Sequence, residues 1–196
     1  MPEFWADRTM TQEACTARFV EQFSALGGEI QTFASVEALK DGLEACLQEL
    51  CADLIGAWGQ AADWPLDVED VLQKWNAIRW DESTVTQFAS VQVGITSCAY
   101  AIADTGTLVM MSSQDQGRSV HLISAVHLVV MTADQIRLRL GEVFADVQKL
   151  GETAPDQVPA SIHFVSGPSR SSDIENDQSI GVHGPARVII LLLDAQ

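Results

Sequence analysis

Basic side chains are scarce in this 196-residue chain, where eight arginines and three lysines face 27 acidic residues and the formal net charge is −16. Such an acidic surface repels phosphate backbones and anionic lipid headgroups. We therefore expect neither nucleic acid nor a membrane among the partners. Apolar residues make up 47% of the chain and charged residues 19%, which is typical of a globular protein rather than a disordered one.

Cysteine is sparse as well, and the spacing of the four cysteines excludes the common metal motifs. They form no Cys-x-x-Cys pair, no zinc-finger pattern with histidine, and no group of three or four clustered thiolates for an iron–sulfur cluster. The zinc-protease, serine-hydrolase and nucleotide-binding motifs are missing too. We predict no metal, no other cofactor, and buried free thiols at Cys15, Cys46, Cys51 and Cys98.

Long apolar runs are also missing. The longest aliphatic run is VIILLL at 188–193, far short of the ~20 residues of a membrane span. The opening MPEFWADRTM has acidic residues early and lacks the apolar core of a secretory signal. We expect a soluble protein of the cytoplasm.

Two hydrophobic patterns predict the fold class. Apolar side chains at helical spacing predict helices over 12–26, after Ser35, and over 133–150. In the second half, runs that are apolar at consecutive positions are typical of strands buried on both faces, as in a parallel sheet: VQVGIT, TLVMM, VHLVVM, SIHFVS and RVIILLL. Together with short strands at 30–33 and 54–58, they predict a single α/β domain over 1–196, with a largely parallel central sheet flanked by helices.

Residues 59–82 stand apart from this pattern. Tryptophans flank the acidic stretch LDVEDVL. We interpret the stretch as a helix whose tryptophans close the core, and as a possible peripheral insertion. A ligand-stacking cage is the alternative.

Three turns beside apolar strands carry residues suited to ligand binding. In the first, Gly106 permits a positive φ or a close approach, and its neighbours supply two hydroxyls and a carboxylate: Thr105, Thr107 and Asp104. A short helical piece, AYAIAD, is expected just before it. Ligands of open α/β sheets bind beyond the carboxyl ends of strands, in loops of this type. The alternative is a tight structural turn in which Asp104 bonds local amides.

The second turn follows the strand that ends at Val165 and contains four candidate anion ligands: Ser166, Gly167, Ser169 and Arg170. Ser172 and Glu175 have the spacing of a capping box that opens a helix. Free amides at a helix start, together with Arg170, would make a site for phosphate or carboxylate. The alternative is a well-capped helix whose arginine pairs with a neighbouring carboxylate.

The third turn holds His183 between two glycines, Gly181 and Gly184. A histidine with so little cover can face a cleft, and its charge can change near neutral pH. A structural or merely exposed histidine is the alternative. The other three histidines lie in or beside apolar runs and are predicted to be core or sheet residues: His121, His127 and His163.

These segments together resemble the LUD domain family, that of lactate utilization protein C. The resemblance rests on GIT…AIADTGTLV, on Arg118 followed by AVHLVVM, on FVSGPSRSSDIE and on GVHGPARVIILLLD, in this order. It is strong over 85–196. It implies the fold of CoA transferases, ribose-5-phosphate isomerase and 5-formyltetrahydrofolate cyclo-ligase. It also implies a role in oxidising L-lactate to pyruvate, beside two partner proteins that carry iron–sulfur clusters.

The chain departs from the family pattern at two carboxylates. The acidic residue usual in the GITGAD motif is replaced by Ala99, and the glutamate usual before Thr-Gly-Thr is Asp104, one methylene shorter. Both changes weaken the expectation of a catalytic role.

The leading hypothesis is therefore an accessory or ligand-binding subunit in lactate or related organic-acid metabolism, with a small anionic ligand. The alternative is an independent enzyme of the CoA-transferase or sugar-phosphate-isomerase type, in which Asp104 is nucleophile or base and Arg170 clamps the anion. A pure interaction module is a third possibility. In either of the first two cases, we expect Asp104, Arg170 and His183 to converge on one cleft.

Overall fold

The computed structural model describes residues 9–172, 178–181 and 183–194. Six α-helices lie within these residues: α1 Gln12–Ala25, α2 Val36–Glu49, α3 Glu69–Lys74, α4 Val85–Phe88, α5 Ser119–Ile123 and α6 Leu140–Thr153. The strands of the first half are β1 Glu29–Phe33, β2 Ile55–Ala57, β3 Ile78–Arg79, β4 Val93–Thr96, β5 Tyr100–Ile102 and β6 Thr107–Ser112. The remaining strands are β7 Val126–Thr132, β8 Ile136–Arg137, β9 Ser161–Val165, β10 Arg170–Ser172, β11 Gln178–Ile180 and β12 Arg187–Leu193.

The central sheet has six strands in the order β1-β12-β7-β4-β2-β3, and every neighbouring pair is parallel. Its middle strands are buried on both faces, since Leu128 and Leu191 pack with α2 and α3 while Val129 and Ile190 pack with α1. This explains why β4, β7 and β12 are apolar at consecutive positions. The predicted parallel sheet, flanked by helices, is confirmed.

A second sheet covers part of the α1 face. Its order is β8-β5-β6-β9, with β6 antiparallel to both β5 and β9. Leu108 and Met110 of β6 join the same core as Phe19 and Phe23 of α1. The runs TLVMM and SIHFVS therefore belong to the antiparallel part of this second sheet and not to the parallel central sheet.

Two predicted helices differ from the observed elements. AYAIAD is not helical, because residues 100–102 form strand β5, which pairs with β6 and β8. The helix expected over 133–150 begins only at Leu140, since Ile136–Arg137 form strand β8 beside β5. Phe144, one of the apolar side chains at helical spacing in this stretch, is 52% exposed. The first two helices match their predictions, and each begins after a hydroxyl cap, Thr11 and Ser35.

Residues 59–82 contain more than a helix. α3 spans only Glu69–Lys74, and Ile78–Arg79 form β3, the edge strand of the central sheet. The tryptophans do contribute to the core, because Trp58 is buried and its ring meets that of Trp64 edge-on at 6.0 Å.

The segment after β9 forms a β-hairpin arm rather than the start of a helix. Arg170–Ser172 make β10, which pairs antiparallel with β11, Gln178–Ile180. Ser172 therefore lies in a strand and not at a helix cap. Glu175, the other half of the predicted capping box, lies outside the described residues.

Gly106 and Gly141 offer a matched test of the β5–β6 turn. Gly106 has φ +57°, and a Cβ there would lie 2.5 Å from the backbone nitrogen of Phe23 in α1. Gly141 lies in α6, and a Cβ there would meet nothing within 4 Å. We expect Gly106→Ala to lower the free energy of unfolding by about 1–3 kcal/mol or more, and Gly141→Ala to raise it by about 0.5–1 kcal/mol. Urea denaturation measures both, and equal effects of the two substitutions would contradict the close approach of this turn to α1.

Candidate functional site

The three motif turns lie side by side at the C-terminal end of α1. Hydroxyl groups connect the first two, because the Thr107 Oγ1 lies 2.9 Å from Ser166 Oγ and 2.8 Å from Thr105 Oγ1. Backbone bonds connect the second and third, since Ser169 N–H donates to Pro185 O and Gly181 N–H donates to Ser169 O, at 2.8 and 3.0 Å. The turns that sequence analysis selected are therefore brought together.

Both charged groups of these turns are engaged by α1. The Asp104 carboxylate accepts a hydrogen bond from Arg18 Nε at 2.6 Å, in a half-buried ion pair. Arg170 is exposed, and its Nη2 donates to the carbonyl of Leu26, the residue that caps the C-terminus of α1. Asp104 is thus paired with Arg18, although no pattern in the sequence connects these two residues.

Glycine permits this close packing at a second position. Gly167 has φ +85°, and a Cβ there would lie 3.0 Å from Leu26 O. His183 is exposed and its neighbour Gly184 faces Ser169, whose Cβ would lie 3.2 Å from an added Cβ. The glycines of the motif turns therefore have a packing role at the end of α1, whatever ligand these turns bind.

A cleft that sequence analysis missed lies at the carboxyl ends of β2 and β4. It has a volume of about 520 Å³, and its lining includes Trp58, Asp63, Cys98, Ala99, Tyr100, Gln114, Gln116, Asp156 and Gln157. An adjoining cleft of about 320 Å³ shares Ser112, Ser113 and Ala160 with the first and adds Trp80, Gly117, Arg118 and Ser161. We call the two together the SQ cleft, after the serines and glutamines of its 112–116 wall. Among the described residues, no motif turn at the end of α1 lines it.

One signal for this cleft was present in the sequence. Ala99, the position where the family motif carries an acidic residue, lies in its lining directly after β4. The other wall, SSQDQGR at 112–118, has no apolar pattern, and only its Arg118 drew attention, as part of the family resemblance.

Burial keeps the Cys98 thiol and the Tyr100 hydroxyl of the cleft lining protonated. It raises the pKa of the Cys98 thiol to about 12 and also raises the pKa of the Tyr100 hydroxyl. Both groups are therefore neutral at physiological pH. Cys15 and Cys46 are buried free thiols as predicted, whereas Cys51 is exposed, because it follows α2 in a left-handed conformation with φ +47°.

Three histidines lie close together, with ring centroids 5.7 Å apart for His121 and His127 and 5.3 Å apart for His121 and His163. His127 Nε2 lies 2.8 Å from Thr96 Oγ1, and His121 Nε2 lies 3.1 Å from His163 Nδ1. His121 and His127 are 2% and 0% exposed, which confirms the prediction of core histidines. Burial, more than the neighbouring histidine, lowers the pKa of His121 to about 4 and that of His127 well below its usual value.

Two further properties concern the described residues only. No group of three or more histidine, cysteine, aspartate or glutamate side chains among them is arranged to hold a metal ion. Within the same residues, no helix combines the length and apolar character needed to cross a membrane.

The architecture defines an α/β domain with a parallel sheet covered on both faces and a polar cleft at its carboxyl edge. The sequence matches the family model of the LUD domain over residues 16–193. The chain belongs to the LUD domain family.

The matches to individual relatives cover different shares of each protein. The chain is 25% identical to lactate utilization protein C of Halalkalibacterium halodurans over 197 residues, 98% of this chain and 85% of that protein. It is 33% identical to lactate utilization protein C of Bacillus subtilis over 131 residues, 67% of this chain and 53% of that protein. A solved structure of a DUF162 family protein from Deinococcus radiodurans has a TM-score of 0.67 at 21% identity and covers 95% of this chain and 100% of its own. That likeness supports the fold.

The buried histidines predict how stability depends on pH. Their folded pKa values lie below the unfolded value near 6.5, so below pH 6.5 the unfolded chain binds more protons than the folded one. Stability therefore falls as pH falls from 7 to 5, by about 1–2 kcal/mol for each such histidine. We expect His121→Asn to remove one such contribution from the pH dependence of the free energy of unfolding, measured by urea denaturation. Leu122→Asn, an exposed neighbour on α5, should leave that dependence as in the parent, and an unaltered dependence in His121→Asn would contradict the assignment.

Proposed function

We propose that this protein is a cytoplasmic, ligand-binding accessory subunit of a system that oxidises L-lactate to pyruvate or acts on a related organic acid. Membership of the LUD domain family and the relatives named lactate utilization protein C support this role. Iron–sulfur proteins that carry the electrons are the proposed partners, and a small organic anion is the proposed ligand.

The observation that carries the ligand-binding role is the position of the SQ cleft. Its larger part, about 520 Å³, opens at the carboxyl ends of β2 and β4. Ligands of open α/β sheets bind at this edge, and cavities of about 300–1,000 Å³ are the usual size of small-molecule sites. Amide and hydroxyl groups line the cleft, and such groups fix the orientation of a polar ligand.

The state of the candidate nucleophiles favours binding over catalysis. The Asp104 carboxylate is held by Arg18 on α1, away from the residues that line the SQ cleft. The Cys98 thiol, which does line the cleft, is kept protonated by a pKa of about 12. A thiol nucleophile needs the opposite, a thiolate near neutral pH.

Growth on lactate tests the proposed role. We expect deletion of the gene from its source organism to abolish growth on L-lactate and to leave growth on pyruvate intact, because only the first needs the oxidation step. Re-expression of the parent chain should restore growth. Normal growth of the deletion strain on L-lactate would contradict the role.

The substitution Asp104→Asn distinguishes the hypothesis of an accessory subunit from that of an independent enzyme. An accessory subunit should keep supporting growth on L-lactate with this isosteric change, whereas an enzyme that uses Asp104 as nucleophile or base should lose it. Arg18→Gln breaks the same ion pair from the other side and is the matched control for any loss of folded protein. Growth lost with Asp104→Asn but kept with Arg18→Gln would favour the enzyme.

A further inference from the structure

Arg118 differs from the other arginines that the structure describes in having no ion-pair or hydrogen-bond partner. The structure describes seven arginines, and six of them have a partner: Arg18, Arg79, Arg137, Arg139, Arg170 and Arg187. Within the described residues, Arg118 alone among them makes no ion pair and no hydrogen bond through its side chain. Arg118 is exposed, so the fold does not use its charge to neutralise a carboxylate. In a chain with 27 acidic residues and eight arginines, it is a basic group left available for a ligand.

The position of Arg118 indicates that its charge can bind an anionic ligand. Arg118 lines the smaller part of the SQ cleft, together with Trp80 and the hydroxyl-bearing residues Ser112 and Ser161. A guanidinium binds carboxylate or phosphate through two parallel hydrogen bonds, and adjacent hydroxyls can complete the shell of such an anion.

The wall that carries Arg118 is fixed in place from several sides. Gly59 N–H donates to Asp115 O at 2.8 Å, and Ser161 Oγ donates to Ser112 Oγ at 3.0 Å. Gly117 packs on the Trp80 ring so closely that an added Cβ would lie 2.0 Å from it. A rigid wall orients the backbone of Arg118 before any ligand arrives, which lowers the entropy cost of binding.

The other end of the SQ cleft has the opposite character. Asp63 and Asp156 line its larger part with the side-chain amides of three glutamines, Gln114, Gln116 and Gln157. Carboxylates and amides accept hydrogen bonds from hydroxyl groups, and carboxylates repel a second anion. The cleft is therefore polar along its length, with a cation at one end and hydrogen-bond acceptors at the other.

We propose that the SQ cleft binds a hydroxylated organic anion, with its carboxylate or phosphate on Arg118 and its hydroxyl groups toward Asp63 and Asp156. This rests on the proposed ligand-binding role and names the ligand class. The two parts of the cleft, about 320 and 520 Å³, match a ligand longer than a three-carbon acid such as lactate, because sites of this size bury much larger molecules.

Isothermal titration of the purified chain tests the ligand class. The probes are gluconate, which carries a carboxylate, glucose 6-phosphate, which carries a phosphate, uncharged glucose, and L-lactate. We expect gluconate or glucose 6-phosphate to bind at least tenfold more tightly than both glucose and L-lactate, and the better of the two identifies the anionic group. Equal affinity for glucose, tighter binding of L-lactate, or no binding of either hydroxylated anion would overturn the proposal.

Single substitutions test the location. Arg118→Ala should weaken binding of the better probe at least tenfold, and Arg118→Lys, which keeps the charge but not the fork of donors, should recover part of the loss. Arg187→Ala removes the same charge at the amino edge of the sheet, where β12 begins, and should bind like the parent. If Arg118→Ala binds the probe with full affinity, the proposed location of the anion site is wrong. If Arg170→Ala loses affinity instead, the anion binds at the motif turns.

The two proposals fail in different ways. If growth on L-lactate requires the gene while Arg118→Ala binds every probe like the parent, the cleft assignment is wrong and the lactate role stands. If the deletion strain grows normally on L-lactate while Arg118→Ala loses binding, the ligand class stands and the lactate role is wrong.

Discussion

Burial of the central strands on both faces is the constraint on which the rest of the structure depends. β7 and β12 pair with parallel strands on each side, and their side chains alternate between the α2 core and the α1 core. Neither face of these strands can hold a polar ligand without a large desolvation cost. Polar chemistry is therefore confined to the edges of the sheet, and at the carboxyl ends of β2 and β4 the chain opens into the SQ cleft.

The few basic residues of the chain help to hold its elements together. With few basic residues, the chain uses several of the described arginines to join segments distant in sequence, as Arg187 joins Glu29 of β1 and Arg18 joins Asp104. Partly exposed ion pairs of this kind contribute little stability, about 0–1 kcal/mol each, so their value lies in setting how the elements meet. Against that pattern, an arginine in a cleft without a partner is better explained by a ligand than by the fold.

Sequence could predict what depends on local pattern. Consecutive apolar runs indicated β4, β7 and β12, and the Ser35 cap indicated the start of α2. The β5 strand could not be predicted, because three residues in a small-residue stretch acquire their conformation only by pairing with β6 and β8. For the same reason the Arg18–Asp104 pair was missed, and the SQ cleft could be found only once β2 and β4 were known to be neighbours.

The geometry indicates two roles for the family motifs, packing for the glycine turns and contact with the cleft for the GIT segment. The glycines of the turns at 104–107 and 166–170 allow the backbone to approach the end of α1, so packing alone accounts for Gly106 and Gly167. The GIT segment differs, because it is the end of β4 and runs directly into Cys98 and Ala99 of the cleft lining. Turns that close the fold would resemble one another among proteins of this family whatever they bind. Differences in ligand would then arise at positions such as Ala99, where the family pattern noted in the sequence has a carboxylate, and Arg118 is the basic residue among the described residues that line the cleft.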